Sequence, residues 1–189
     1  STSHSVEWED GVRVRRHDGT FLPAEIAGHD PASDLVVLRV GNLDTPPLPH
    51  ASAAAHAGEL VLVTGRSWNG RAQARLVALT GVAGPLQSAH GPRLDRVFTL
   101  PLSPYAGFSG SALTGPDGAL LGVATAGLVR GRGLAVPVDL VQPIVEAIEA
   151  TGGLDYAAGF AQRETAQALA ALESLPDTPY SRALASLAR

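Results

Sequence analysis

Residues 105–113 read YAGFSGSAL, a short glycine-rich stretch with a serine, Ser109, near its centre. A serine nucleophile needs a neighbouring base, a group that orients the base, and N–H donors for the oxyanion that forms. Glycine at 107 and 110 lets the backbone turn sharply and point its amides inward. The amides of Gly107 and Ser109 are therefore candidates for an oxyanion hole. The same pattern is also typical of an ordinary glycine turn, so the other members of a catalytic site must be sought elsewhere in the chain.

The order of histidine, aspartate and serine along the chain narrows the choice of fold. In α/β-hydrolases the histidine follows the serine, whereas the last histidine here, His90, precedes Ser109. Asp34, His56 and Ser109 have the order of subtilisin, but the chain lacks the alternating long helices and parallel strands of that fold. The order His4, Asp34, Ser109 is that of chymotrypsin, and the sequence favours it.

The pattern of residues 10–140 is typical of an all-β domain. Short apolar or alternating runs are separated by turns such as Pro116-Asp117-Gly118. The run Leu35–Val40 is almost wholly apolar, which predicts a strand buried on both faces. Strands at this spacing predict a barrel or sandwich. The predicted strands are 12–15, 24–27, 35–40, 60–64, 71–82, 97–100, 111–114, 120–124 and 134–138.

The pattern becomes helical after Pro137. Asp139 is placed to cap a helix over residues 139–150, with an apolar stripe that should pack on the barrel formed by the later strands. That stripe consists of Leu140, Ile144, Val145 and Ile148. Two more helices are predicted over 162–172 and 181–187. We therefore divide the chain into an all-β domain over residues 1–138 and a helical extension over 139–189.

Composition excludes several classes of protein. The 189 residues are 45% hydrophobic and 17% charged, which suits a sizeable core. There is no cysteine, so a thiol nucleophile and cysteine zinc sites are excluded. There is no lysine, so a lysine base is excluded as well. The net charge of −4 and the scattered arginines argue against a nucleic-acid-binding surface, and the apolar runs are far shorter than a membrane-spanning helix requires.

Several motifs together resemble those of the HtrA/Deg-type serine proteases, a trypsin-like family with two β-barrels. Residues 28–40, GHDPASDLVVLRV, look like the segment that carries the family's catalytic aspartate, and residues 2–6, TSHSV, are similar to its histidine motif. Residues 107–113, GFSGSAL, are similar to its serine motif, with Phe108 where the family usually has asparagine. Residues 118–125 and 131–137 look like its closing strands, so the resemblance covers about residues 2–150.

The resemblance implies a His-Asp-Ser triad. His4 would accept the proton of Ser109 and later donate it to the leaving amine, while Asp34 would orient the imidazole. The amides of Gly107 and Ser109 would form the oxyanion hole, and no metal or cofactor is implied. Structural readings are also open, with His4 as a frayed terminal residue and Asp34 as the cap of a turn. The other histidines of interest lack metal-ligand spacing and are interpreted as solvated loop residues: His29, His50, His56 and His90.

By position, the resemblance also assigns the lining of the primary specificity pocket. No residue of that set is charged, so a charged substrate side chain would find no counter-ion there. We therefore expect a small aliphatic residue at the cleavage site. The predicted substrate-binding residues are Ser103, Pro104, Thr125, Ala126, Gly127 and Gly133.

These expectations define two functions for the β-domain, and a third hypothesis gives the C-terminal helices a structural or assembly role of their own. The first is a serine endopeptidase that cleaves peptide bonds in unfolded or misfolded proteins, with the extracytoplasmic location (bacterial periplasm or cell envelope) that the resemblance implies. Its partner is a peptide or unfolded protein, and a homo-oligomer is considered as well. The alternative is a non-catalytic trypsin-like module that binds peptides or partner proteins, with Phe108 blocking the oxyanion hole.

The resemblance also makes a prediction about the first barrel. In the family that barrel begins with strands ahead of the histidine motif, and only three residues precede His4 here. We therefore expect the first barrel to be incomplete, with an open edge at 12–27 or 35–40, or to be closed by an upstream segment or a partner chain. An open apolar edge invites aggregation, so residues 1–189 alone are expected to be poorly soluble.

Overall fold

The computed structural model describes residues 1–6, 11–67, 69–87, 94–151 and 180. In these ranges the chain forms ten strands in two antiparallel sheets, followed by one α-helix. The predicted all-β fold with a helix after the last strand is therefore confirmed.

The first sheet is a three-stranded meander. Its strands are β1 (Arg13–Arg15), β2 (Phe21–Asp30) and β3 (Leu35–Val40), in the order β1-β2-β3. The second strand is longer than the predicted 24–27 and contains an irregularity between Ile26 and Gly28. The strand β3 has the predicted bounds, but the predicted burial on both faces was wrong beyond its start: only Leu35 and Val36 are buried, and Arg39 is exposed.

The first sheet is open along most of β3 within the described residues. At the start of β3, Thr2 forms a bridge with Leu35, and the amide of Val36 donates to the carbonyl of Ser1 at 3.1 Å. Along the rest of that edge, none of the strands in the described ranges pairs with β3. The arrangement agrees with the predicted incomplete first barrel.

The second sheet has seven strands in the order β5-β4-β8-β9-β10-β7-β6. Its outermost strands, β5 and β6, are joined by Leu79 and Thr80 alone, so the sheet must curl until its two edges meet. The seven strands are β4 (Leu60–Arg66), β5 (Ala72–Ala78), β6 (Gly81–Ala83), β7 (Val97–Leu100), β8 (Ala112–Thr114), β9 (Leu120–Thr125) and β10 (Gly133–Pro137).

The prediction of one strand over residues 71–82 was wrong. The run is divided at Leu79–Thr80 because consecutive amides bond to different neighbours. Leu79 N donates to the carbonyl of Glu59 at 2.9 Å, and Thr80 N donates to the carbonyl of Thr99 at 3.0 Å. The two halves of the run therefore lie at opposite ends of the curled sheet.

Two apolar clusters hold the sheets together. The interior of the second barrel contains fully buried side chains from several strands, among them Val63, Phe108, Leu113, Ala124 and Ala135. A second cluster joins the first sheet to the barrel, because it combines Leu35 of β3 with residues of β7 and β10. Its buried members are Leu35, Leu94, Val97, Leu128, Leu134 and Val136.

Helix α1 (Val138–Thr151) packs against β2, β9 and β10. Ile148 is fully buried and the other three residues of the predicted stripe are half-buried, so the predicted helix and its apolar face are confirmed. Asp139 is not the cap: it lies inside the first turn, where its carboxylate pairs with Arg96. The predicted helices over 162–172 and 181–187 lie outside the described residues.

None of the helices in the described part of the chain is long and apolar enough to cross a membrane.

Candidate active site

Asp34 is placed by the turn between β2 and β3. Its φ of +60° lies in the left-handed region, which costs a residue other than glycine roughly 1–3 kcal/mol. The turn is braced by Asp30, whose carboxylate accepts hydrogen bonds from Ala32 N at 3.3 Å and from Ser33 Oγ at 2.6 Å. Both Asp30 and Ser33 are buried. The brace holds Asp34 in a conformation that the residue would not choose by itself.

His4 and Asp34 are joined by two hydrogen bonds. His4 Nδ1 lies 2.6 Å from Asp34 Oδ2, and His4 N donates to Oδ1 at 3.0 Å. The backbone is tied as well, since Ser3 N donates to the carbonyl of Asp34 at 2.7 Å. Because a carboxylate only accepts, Nδ1 carries the proton and Nε2 is left with a free lone pair. The imidazole is 42% exposed while the carboxylate is 10% exposed, so the ring reaches solvent while its hydrogen-bond partner is nearly buried.

Thr125 is a third partner of this pair, and sequence reasoning missed its part. Its fully buried hydroxyl donates to Asp34 Oδ2 and accepts from Gly127 N at 3.0 Å. The sequence assigned Thr125 to the substrate pocket, but the structure turns its hydroxyl to Asp34. The two residues are 91 positions apart, so no local pattern links them.

Ser109 is tied to the same short segment. Ser109 Oγ accepts a hydrogen bond from Ala126 N at 3.2 Å. A Cβ at Gly127 would lie 2.8 Å from His4 Nδ1 and 2.7 Å from Asp34 Cγ, so this position must be glycine. The three predicted triad residues thus gather around residues 125–127.

The hydroxyl of Ser109 can still donate a hydrogen bond. The amide of Ala126 uses one lone pair of Oγ, and the O–H remains able to donate to a base. The hydrogen bonds of the described residues do not include one between Ser109 and His4. Catalytic hydrogen bonds are often long in the absence of substrate.

Four backbone amides lie at or next to Ser109, and two of them donate hydrogen bonds to carbonyl groups. Phe108 N donates to the carbonyl of Tyr105 at 2.9 Å, and Gly110 N donates to that of Ala124 at 2.8 Å. The amides of Gly107 and Ser109 find no acceptor among the described residues. Two free N–H groups flanking a serine are what a developing oxyanion requires.

Gly107 is fixed by its close approach to β4. Its φ is +89°, and a Cβ there would overlap the carbonyl of Arg66 and lie 3.0 Å from Ser67 N. Only glycine fits this position, which sets the direction of the Gly107 amide.

The ring of Phe108 lies inside the second barrel and is fully buried. It packs edge-to-face on Tyr105, with 5.5 Å between ring centroids. Its Cζ atom lies 3.1 Å from where a Cβ on Gly133 would stand. The ring therefore fills core space beside Gly133.

The six predicted substrate-binding residues do not share one cavity. Ser103 and Gly133 line a cavity of about 450 Å³ that Arg132 also borders. Ala126 and Gly127 lie instead beside Ser109 and the His4–Asp34 pair, as Thr125 does. Pro104 is half-buried and does not line the cavity.

The structure describes three of the other histidines that the sequence analysis named. His29 is not a solvated loop residue as predicted: it lies in β2, half-buried, with Nδ1 2.8 Å from Ser3 Oγ. His50 and His56 are exposed, and His56 contacts Glu59. His90 lies outside the described residues. Within the described ranges, no group of three or more histidine and carboxylate side chains is arranged to hold a metal ion.

The comparison with known families identifies the architecture. A family model for the trypsin-like peptidase domain matches residues 1–123, more than half of the chain. The chain belongs to this family. The resemblance to HtrA-type serine proteases that the motifs suggested is confirmed by relatives and by solved structures.

Two curated relatives illustrate the similarity. The chain is 26% identical over 163 residues to the serine endoprotease DegS of Haemophilus influenzae, covering 80% of this chain and 47% of the relative. It is 26% identical over 166 residues to the serine protease Do-like HtrA of Bacillus subtilis, covering 82% and 37%. The chain thus spans less than half the length of these relatives.

Two solved structures share the fold. The inactive form of a serine-to-alanine mutant of Rv3671c from M. tuberculosis superposes with a TM-score of 0.68 at 25% identity, over 80% of this chain and 76% of that one. The HtrA-type protease AlgW, solved with a decapeptide, gives 0.67 at 23% identity, over 80% and 48%. At the latter identity the likeness concerns the fold alone.

Proposed function

We propose that this trypsin-like domain is a serine endopeptidase of the HtrA type that hydrolyses peptide bonds in unfolded proteins. Ser109 is the nucleophile, His4 the general base and Asp34 the group that orients it. One observation carries the proposal. The segment 125–127 binds Asp34 through Thr125 and Ser109 through Ala126 N, so base, orienting group and nucleophile meet on one strand end.

The proposed reaction starts at Ser109. Its Oγ attacks the carbonyl carbon of the scissile bond while its proton passes to His4 Nε2. The electron pair of the C=O bond moves to oxygen, which the amides of Gly107 and Ser109 would stabilise. The protonated imidazole then donates to the leaving amine nitrogen as the C–N bond breaks. Water repeats the sequence on the acyl-enzyme, restoring Ser109 and releasing the acid.

Asp34 serves this cycle by remaining charged. Its carboxylate is nearly buried but accepts from His4 Nδ1, His4 N and Thr125 Oγ1. These donors replace lost water, and the negative charge stabilises the imidazolium when it forms. Thr125 acts on the chemistry through Asp34, which makes it a positioning residue.

The proposed substrate has a small side chain before the scissile bond. The predicted pocket residues are uncharged, and the ring of Phe108 occupies the space beside Gly133. We place the substrate side chain beside Ala126, which packs against the same barrel core that the Phe108 ring fills. Glycine, alanine, serine or valine at this substrate position fits the space best.

The wider setting is proposed from the relatives. An unfolded polypeptide is the substrate class, in line with the decapeptide in the AlgW structure. An extracytoplasmic location follows from the HtrA resemblance. The open edge of β3 is proposed to be covered by an upstream segment or by a second copy.

A second candidate function is peptide binding without hydrolysis. The hydroxyl of Ser109 favours it, because within the described residues that hydroxyl is bonded to Ala126 N and has no hydrogen bond to His4. In that case the 125–127 edge would still bind an extended peptide, but Ser109 would not attack it.

Turnover of an unfolded protein separates the two functions. A reduced and alkylated protein is incubated with the chain and with its Ser109→Ala variant, and new amino termini are counted. The endopeptidase predicts cleavage that is lost in the variant by roughly 10³-fold or more. Equal cleavage by both, or none by either with peptide binding intact, would overturn the endopeptidase.

A further inference from the structure

Two arginines, Arg66 and Arg75, contact the loop that carries the proposed oxyanion donors, and a third, Arg15, lies near Arg66. Arg66 ends β4, and its carbonyl abuts Gly107 so closely that no Cβ fits between them. Arg75 of β5 places its guanidinium 4.3 Å from the centre of the Tyr105 ring. Residues 105–107 thus lie against the backbone of Arg66 and the exposed guanidinium of Arg75. Gln73 of β5 also contacts this loop, because its side-chain amide donates to the carbonyl of Ala106 at 3.4 Å.

The third arginine reaches this place from the first sheet. Arg15 of β1 lies over the Phe21 ring at 5.6 Å, and its Cζ stands 2.9 Å from where a Cβ on Gly70 would be. Arg66 Nη1 donates to the carbonyl of Gly70 at 2.8 Å. Arg15 and Arg66 therefore converge on Gly70. We name Arg15, Arg66 and Arg75 the basic rim.

The basic rim is not neutralised within the described residues. The ion pairs in those ranges involve other side chains, namely His4–Asp34, Arg16–Asp18, His56–Glu59 and Arg96–Asp139. Among the described residues, no carboxylate lies within ion-pair distance of the three rim arginines, and all three are exposed. Clustered cations at the edge of a binding site raise the local concentration of anions and select for them.

With the substrate oriented as proposed, the rim would lie on the leaving-group side of the site. The substrate side chain before the scissile bond faces Ala126, Gly127 and the pocket. The attacked carbonyl oxygen faces the free amides of Gly107 and Ser109. The carbonyl of Arg66, at the end of β4, abuts Gly107, so a chain that leaves on the side away from 125–127 would pass this end of β4.

We propose that the basic rim selects peptides with aspartate or glutamate in the first few positions after the scissile bond. The inference rests on the proposed function, whose substrate it narrows. The rim binds the carboxylates through exposed guanidinium groups, so the preference is electrostatic and weakens with salt. Arginine also offers a planar fork that pairs with a carboxylate in two hydrogen bonds.

The test uses peptides that differ only after the scissile bond, carrying Asp-Glu or the matched Asn-Gln. We expect kcat/KM to be about tenfold higher for the acidic peptide at low salt, and about twofold higher at 0.5 M NaCl. In an Arg66→Gln/Arg75→Gln variant the preference should fall to within twofold. The Arg66→Lys/Arg75→Lys variant keeps the charge and should keep most of the preference.

An Arg39→Gln/Arg130→Gln variant is the control, because both arginines are exposed and lie outside the rim. It should keep the full preference. Equal rates for the two peptides in the unmodified chain, or an undiminished preference in the Arg66→Gln/Arg75→Gln variant, would overturn the proposal.

A binding measurement separates this proposal from the proposed function. Labelled acidic and amide peptides are titrated into the Ser109→Ala chain, which needs no catalysis. Tighter binding of the acidic peptide that vanishes in Arg66→Gln/Arg75→Gln supports the rim even if the unmodified chain cleaves nothing. Equal binding of the two peptides refutes the rim whether or not the chain is an enzyme.

Discussion

At the proposed site, Asp34 combines two features that each lower the stability of the folded protein. It adopts a left-handed backbone conformation and buries a carboxylate, and both are unfavourable by themselves. The structure compensates with donors from His4 and Thr125 and with the turn that Asp30 braces. Such a concentration of unfavourable features is typical of a functional site rather than of an ordinary turn.

Thr125 gives the first prediction at this scale. Thr125→Val preserves the shape but removes the hydroxyl, so Asp34 loses a donor and Gly127 N loses its acceptor. We expect a loss of about 1–3 kcal/mol in the free energy of unfolding and a fall of about tenfold in kcat/KM, measured by urea denaturation and peptide cleavage. Thr125→Ser restores the hydroxyl and should recover most of the activity. A valine variant as active as the original chain would show that this hydroxyl does not orient the pair.

Phe108 gives the second prediction. Phe108→Leu replaces the ring beside Gly133 with a smaller side chain. Cleavage should then extend to substrates with larger side chains before the scissile bond. A peptide library that varies this position measures the change. Phe98→Leu is the matched control, since Phe98 is buried in the same barrel core. Both variants should lose about 1–3 kcal/mol of stability, but only Phe108→Leu should broaden the specificity. An identical profile for the two would refute the role given to Phe108.

At the scale of elements, the turn between β1 and β2 is held by hydrogen bonds to the carboxylate of Asp18. Asp18 Oδ1 accepts from Thr20 N at 2.9 Å and from Thr20 Oγ1 at 2.7 Å. These hydrogen bonds lower the pKa of the Asp18 carboxyl, and the bond from the Thr20 hydroxyl has the larger effect. A lowered folded-state pKa means that the contribution to stability is present above the ordinary aspartate pKa. It is lost as the pH falls through the lowered value.

We therefore predict that acid loosens this hairpin turn before it disturbs the barrel core. Hydrogen exchange of the Thr20 amide, followed from pH 6 to pH 2 and corrected for intrinsic rates, measures it. Protection should fall at the acid end in the original chain. In an Asp18→Asn variant it should be lower at neutral pH and nearly independent of pH. Unchanged protection of Thr20 at pH 2 would contradict this account.

Elements were predicted well where each is decided by its own residues. β3 and α1 have unbroken apolar patterns, and the structure gives them nearly the predicted bounds. The division of 71–82 was not predictable, because the pattern runs on through Leu79 and Thr80 while their hydrogen bonds change partner. The bond from Thr125 to Asp34 was missed for the same reason, since it depends on how two sheets meet.

At the scale of the whole molecule, the proposed site lies between the two sheets. His4 and Asp34 belong to the first sheet and its N-terminal segment, whereas Ser109 and Thr125 belong to the second barrel. Leu35, next to Asp34, packs in the cluster that joins the two. The geometry of the site therefore depends on the docking of the sheets. The motif order could indicate the three residues but not their distances.

The central claim, that Ser109 is an activated nucleophile, is tested most directly by mass spectrometry after reaction with a fluorophosphonate. Ser109 Oγ would attack phosphorus, fluoride would leave, and His4 would take the serine proton. The account predicts one adduct per chain, mapped to Ser109, absent from Ser109→Ala and formed at least tenfold more slowly in His4→Ala. No adduct under conditions that label trypsin, or an adduct on another serine, would contradict it.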